Sequence, residues 1–248
     1  MHIAFSRTDH RSWPVPEGRW TWRQSWKDLL FAHWRVPAAT LQPLVPPELK
    51  VQEFDGSSWV GVVPFRMSGV MRRFLPNLPW LSAFPELNLR LYVERDGKPG
   101  VWFLSLDAAN RVAVWAAKRF FHLPYFFAKI AFERQPTRYQ FSSQRPDNPA
   151  ISFRAEYAPT SAVFEAAPGS LEAFLTERYC LYTKTPSGKL LRADVHHVPW
   201  PLQQATGELE ATKLVAPHGF SLNGPPLLHF STGVDVVIWP MVQLSQQI

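Results

Sequence analysis

Residues 86–107 read ELNLRLYVERDGKPGVWFLSLD, and this stretch decides the fold. From Glu86 to Tyr92, leucines alternate with polar residues, the period of a β-strand whose successive side chains point to opposite faces. Asp96–Gly97 interrupts the alternation with a pair that tolerates the positive φ of a tight turn, and VWFLSLD then resumes an extended run. The stretch predicts a β-hairpin. Leu87, Leu89 and Leu91 share one face, and Glu86, Asn88, Arg90 and Tyr92 share the other. On a half-exposed strand that polar face would meet water. In a closed sheet it would line the interior, where a carboxylate and a guanidinium must pair or bind something, because an unpaired buried charge is costly.

Working outward, KVQEF and SSWVGVVPFRM flank Asp55–Gly56 and predict a second hairpin. LLFAHWRV before them reads as a strand, followed by a short helical piece, AATLQPLVP. The Ala-rich run from Ala108 to Phe121 predicts a helix with Asp107 as its N-cap, ended by Pro124. YFFAKIAFER, TRYQFSSQR and ISFRAEYAP read as strands, and SLEAFLTER as a short helix leading into the strand YCLYT. LLRADVHHV and a final pair, LLHFS and GVDVVIW, complete the set. About ten strands with a few short helices make the class α+β, predominantly β, and so many sequential strands close into a barrel or stack as a sandwich. No repeat or linker divides the chain, so residues 1–248 are read as a single domain, with 1–25 an N-terminal arm and 26–248 the body.

Composition narrows the function. Of 248 residues, 46% are hydrophobic and only 19% charged, which is globular rather than disordered. The net charge of +6 raises the question of an anionic partner, but no basic run exceeds a pair such as Arg72–Arg73. A nucleic-acid footprint would form a stripe or tail, so nucleic acid is not expected and a small anionic ligand is. No apolar run approaches the roughly 18 residues of a membrane span, and the N-terminus lacks a signal-peptide core, so no membrane partner is expected. The lone Cys180 suits a reducing, cytoplasmic compartment and an inert buried thiol. Self-association into a homo-oligomer is left open.

Two further polar clusters stand out. Glu177 and Tyr179 share a face if FLTERYCLY is extended. His196 and His197 are adjacent on a strand and so point to opposite faces, which prevents them from chelating one metal. The eight histidines form no metal-ligand spacing, and neither a metal nor a cofactor is expected. For either histidine a hydrogen-bonded structural role competes with a site role. Dinucleotide, P-loop and nucleophile-elbow motifs are missing.

The series F-x-H-W (Phe31, His33, Trp34), F-D-G-x-x-W-V-G-V-V-P-F (Phe54–Phe65), E-L-N-L-R-x-Y-V (Glu86–Val93), G-K-P-G-V-W-F-x-S-L-D-A (Gly97–Ala108), L-P-Y (Leu123–Tyr125), F-L-T-E-R-Y (Phe174–Tyr179) and H-x-P-W-P-L (His197–Leu202) resembles the YqjF-like (DUF2071) family of uncharacterised conserved bacterial proteins, from about Trp26 to Gly219. The resemblance implies an acetoacetate decarboxylase-like fold, a closed β-barrel with helices packed outside and a pocket within. In the decarboxylases a lysine in a G-x-P-K pattern forms a Schiff base. Here the similar stretch is Phe121–His122–Leu123–Pro124–Tyr125, with Tyr125 where the lysine would stand. A phenol forms no imine, and Lys129, four residues on, is the remaining displaced-amine candidate.

A pocket of this kind would take a small carbonyl- or carboxylate-bearing molecule. Arg90 would hold the anion, Tyr125 would donate to a carbonyl or enolate oxygen, and Glu86 would act as base or orient Arg90. Asn88, Glu177, Tyr179 and His197 would complete the binding surface. The chemistry would be enolate-type proton transfer, hydration or lyase-type cleavage without a Schiff base. The alternative is a non-catalytic small-molecule binding or sensing protein of the same fold. A purely structural role would instead close the pocket through a Glu86–Arg90 pair.

Overall fold

A computed structural model describes residues 2–74 and 82–245. In chain order the elements are β1 (Trp22–Val36), α1 (Ala38–Leu41), β2 (Lys50–Val51), β3 (Ser58–Arg72), β4 (Phe84–Arg95) and β5 (Lys98–Ala108). They are followed by α2 (Arg111–Phe121), β6 (Tyr125–Phe127), β7 (Lys129–Arg134), β8 (Tyr139–Arg145), β9 (Asn148–Pro159) and α3 (Leu171–Thr176). The chain ends with β10 (Cys180–Lys184), β11 (Leu190–His196), β12 (Leu202–Glu210), α4 (Thr212–Val215), β13 (Leu227–Ile238) and β14 (Val242–Gln243).

The sheet order β11-β10-β5-β4-β3-β1-β13 closes on itself through Val195↔Ile238 and His196↔Val237, giving a ring of seven strands. That is fewer than the ten or so expected. Strands β12, β9, β8 and β7 continue from β13 as an antiparallel extension outside the ring. This extension explains why a strand with alternating polarity is buried on both sides. Leu87, Leu89 and Leu91 face outward into a core shared with Phe141, Phe153 and Phe230, while the polar face of β4 looks into the ring.

The β4–β5 hairpin forms as predicted, with Asp96 and Gly97 at φ 53° and 67°. The Asp55–Gly56 turn also forms, at φ 51° and 72°, but it closes only the Phe54–Ser57 bridge. Lys50 and Val51 pair with Glu94 and Val93 of β4 rather than with β3, so the second hairpin is corrected to a turn. LLHFS and GVDVVIW are likewise one bent strand, not a pair. Gly233, at φ 124°, lies against the backbone of Trp26, where a Cβ would meet the carbonyl oxygen at 2.0 Å. A glycine at such an approach bends a strand without ending it.

The N-cap of α2 is Asn110, whose Oδ1 accepts from the amides of Val112 and Ala113, both at 3.0 Å. Asp107 is unavailable for that task because it is buried against Arg145. The N-terminal residues pack against β11: Arg11 donates to the Val195 carbonyl at 2.6 Å and Trp13 to Asp194 at 3.1 Å. Among the described residues no helix is long and apolar enough to cross a membrane.

Candidate functional site

Every strand of the ring contributes a side chain to one interior cavity of about 220 Å³. Along β4 the residues facing it are Phe84, Glu86, Asn88 and Arg90 in turn. A strand advances about 3.3 Å per residue, so these four positions span roughly 20 Å of backbone. Tyr92 continues the same face but is sealed behind the lining. Its hydroxyl lies 2.5 Å from His33 Nε2 and accepts from Arg90 Nε at 3.2 Å. Gly61 across the sheet leaves room for this arrangement, since a Cβ there would meet the Tyr92 hydroxyl at 2.8 Å.

Glu86 is 1% exposed and accepts from the Tyr125 hydroxyl at 2.9 Å. Tyr125 is delivered by β6, which pairs in parallel with β5 (Leu106↔Tyr125) after the left-handed His122 ends α2. Burial lifts the Glu86 carboxyl to about 8, against the lowering hydrogen bonds of Tyr125 and Asn88 and with a further upward push from the charge of Asp107. Burial and the adjacent Glu86 push the Tyr125 phenol well above its ordinary value, so it remains a neutral donor. A carboxyl titrating near neutrality is suited to giving and taking a proton. The Asn88 Oδ1 atom is buried with no hydrogen-bond partner.

At the other end lie two guanidiniums. Arg90, 9% exposed, donates to the Leu175 carbonyl at 3.1 Å and sits over the rings of Phe31 and Tyr92 at 5.5 and 5.4 Å. Arg178, 7% exposed, donates to the Phe174 carbonyl at 2.6 Å and to Gln52 Oε1, and stacks on Phe174 and Tyr92 at 4.4 and 4.9 Å. Its Nη2 has no partner. Burial lowers Arg178 to about 10, with the charge of Arg90 acting in the same direction. Among the described residues neither guanidinium has a carboxylate within ion-pair distance. Glu86 and Arg90 therefore do not form the pair that would have closed the pocket.

Glu177 and Tyr179 do share a face, with the Tyr179 hydroxyl donating to Glu177, but neither lines the cavity. Glu177 also accepts from the Trp200 amide at 3.1 Å, and Arg11 covers the Tyr179 ring at 4.6 Å. The cavity receives the opposite set, Thr176, Arg178 and Cys180. Sequence reasoning missed Arg178 because α3 ends at Thr176, and that end point sets which side chains of the following residues face inward.

His197 lines the cavity, and His196 faces the N-terminal residues instead. His197 Nδ1 meets the Val198 carbonyl at 2.7 Å, and burial lowers the ring to about 3, so it stays neutral. Lys129 is exposed and lies outside the cavity. The chain passes from β6, paired with β5, to β7, paired with β8, at Ala128, and this change of partner removes Lys129 from the side of Tyr125. Among the described residues no lysine lines the cavity, and Lys129 is not placed to act as the displaced amine. Among the described residues no group of three or more His, Cys, Asp or Glu side chains is placed to hold a metal ion.

The DUF2071 family profile, described as an uncharacterized conserved protein, matches residues 23–235. The uncharacterized protein YqjF of Bacillus subtilis (strain 168) is 44% identical over 240 residues, covering 96% of this chain and 99% of that one. Among solved structures, the enduracididine biosynthesis enzyme MppR, complexed with the condensation product of pyruvate and imidazole 4-carboxaldehyde, superimposes with a TM-score of 0.68 at 13% identity, covering 91% of this chain and 89% of that one. The acetoacetate decarboxylase of Legionella pneumophila gives 0.64 at 13% identity, with 96% and 94% covered. At such identities the likeness establishes the acetoacetate decarboxylase-like fold and nothing finer.

Proposed function

The chain belongs to the DUF2071 family of uncharacterized conserved proteins, and on that premise we propose that its ring interior binds a small organic acid and moves a proton on it without a Schiff base. The observation that carries this reading is a pair of buried guanidiniums, Arg90 and Arg178, which face the cavity with no carboxylate partner among the described residues. Two like charges buried together call for an anion, because unpaired buried charge is costly and a carboxylate accepts a guanidinium fork in two-pronged fashion. The fold neighbours offer an analogy, since one structure of MppR is described as complexed with pyruvate.

With the carboxylate at Arg90 and Arg178, the carbons of the ligand run along β4 toward Asn88 and Glu86, the next inward-facing residues. Glu86, titrating near 8, removes or returns a proton at one of these carbons, and Tyr125 donates to the oxygen on which negative charge gathers. Lysine chemistry has no part in this reading, since no lysine lines the cavity among the described residues and Lys129 is outside.

The same pocket serves the rival reading, a binding or sensing protein, and proton exchange separates the two. In D₂O, the wild-type protein with pyruvate or acetoacetate is expected to exchange the protons next to the carbonyl faster than buffer does, and Glu86→Gln is expected to abolish the excess. Ligand binding without any excess exchange would leave the protein a binder.

A further inference from the structure

The cavity is larger and more apolar than recognition of a carboxylate and a carbonyl requires. A single water needs only about 10–15 Å³ of such space, against the roughly 220 Å³ present here. Its polar groups lie on the inward face of β4, on Thr176 and Arg178, on Tyr125 and His197, and on Gln24 of β1. Beyond Glu86 the wall is mostly apolar, with Phe84 on β4, Trp22 on β1, Met67 and Val70 on β3, and Phe121 at the end of α2, and with Gln24 of β1 among them. Trp22 and Phe121 meet edge-on at 5.6 Å.

The inner face of α2 closes this end with Ala113, Ala116 and Ala117. Those positions recur at the three- and four-residue spacing of one helix face. The helix is held at both ends, by the Asn110 cap and by the left-handed His122. Interiors normally pack to crystal-like density, so a row of alanines beneath a capped helix, facing a void, marks space left open. Apolar wall of this kind favours apolar parts of a ligand, because burying them removes apolar surface from water.

We infer that the ligand is an amphiphilic acid, with its carboxylate at Arg90 and Arg178 and an aliphatic or aromatic tail lying beneath α2 against Trp22, Phe84 and Phe121. The order of residues along β4 sets the register of the ligand: carboxylate at Arg90, reacting carbons at Asn88 and Glu86, tail at Phe84. This inference rests on the anion-binding reading above, and it adds the chemical class of the remainder of the molecule.

The test is calorimetric titration with straight-chain saturated carboxylates from propionate to decanoate. Each added methylene is expected to raise affinity about three- to four-fold until the space is filled. Ala117→Phe, and independently Ala116→Leu, should cut octanoate binding at least about ten-fold and leave propionate binding unchanged, with melting curves confirming that each variant is folded. An affinity that does not depend on chain length, in a protein whose binding is still lost on Arg90→Met, overturns the tail and leaves the anion site standing. Failure of every acid to bind the wild-type protein overturns both.

Discussion

Two carboxyls sit one residue apart in the pairing of β4 with β5, on opposite faces of the sheet, and their surroundings differ in kind. Asp107, opposite Leu87, faces outward and is closed off by protein: Arg145 lies 2.7 Å away, and the Ser143 hydroxyl donates at 3.2 Å. Glu86, opposite Ala108, faces inward and has a phenol and an amide for company, while the two cations of that cavity, Arg90 and Arg178, stay unmatched. The same chain therefore neutralises a buried charge when the surroundings are structural, and inside the ring it leaves two cations without a carboxylate partner among the described residues, beside a carboxyl that holds its proton. The difference teaches that the interior polar groups are unfinished as protein structure, and on the proposed reading a ligand completes them.

The largest effect expected from this contrast is on the closed side. Arg145→Met leaves Asp107 buried without its partner and should cost about 3–5 kcal/mol of stability, read as a large drop in melting temperature. Arg178→Met should cost no more than about 1–2 kcal/mol, the scale of its hydrogen bonds and ring contacts, because no carboxylate is orphaned. Equal losses from the two variants would erase the distinction.

Next in size is the pH dependence that Glu86 imposes. Its folded value of about 8 lies above its ordinary value of 4.5, so the folded state holds the proton more tightly. The stabilisation is complete below about pH 4.5 and is lost as pH rises to about 8, at up to roughly 1.4 kcal/mol per pH unit. Glu86→Gln removes this dependence and should be more stable than wild type at pH 8, with the advantage shrinking toward pH 5. Parallel curves for the two proteins in urea melts across that range would mean that Glu86 titrates as an ordinary carboxylate.

How much of this was legible in the sequence depended on whether the deciding partner was near in the chain. The β4–β5 hairpin and the polar face of β4 were legible because the turn residues and the alternation are local. The cap of α2 was misplaced at Asp107 because Arg145, 38 residues away, claims that side chain. Lys129 stands as a displaced-amine candidate in the sequence because nothing in YFFAKIAFER announces that the pairing partner changes at Ala128. Arg178 was passed over for Glu177 and Tyr179, since the end of a short helix is fixed by packing rather than by a cap signal. The alanines of α2 suggested helix propensity, and their role as cavity roof emerges only once the ring has closed beneath them.

A smaller effect sharpens the ligand side of the comparison. Arg90→Lys keeps the charge and loses the fork, and should weaken carboxylate binding about ten- to a hundred-fold, the value of a charge-assisted hydrogen bond at roughly 1.5–3 kcal/mol. Unchanged affinity would move the anion away from Arg90. Smallest of all, Tyr125→Phe should cost about 1 kcal/mol and move the Glu86 titration upward, because the lost hydrogen bond is one that lowers it. A carbon-detected NMR titration of the Glu86 carboxyl reads that shift directly, and a downward movement would contradict the assigned contact.

The contrast between a closed exterior pair and an open interior pair is tested most directly by titrating pyruvate, in a calorimeter, into the wild-type protein and into the Arg90→Met/Arg178→Met double variant, with melting curves taken on both. The expected result is one-to-one binding by the wild type and none by the double variant, with the two melting temperatures within a few degrees of each other. A wild-type protein that binds no pyruvate, beside a double variant that melts far lower, would contradict it, because the two arginines would then be holding the protein together rather than waiting for an anion.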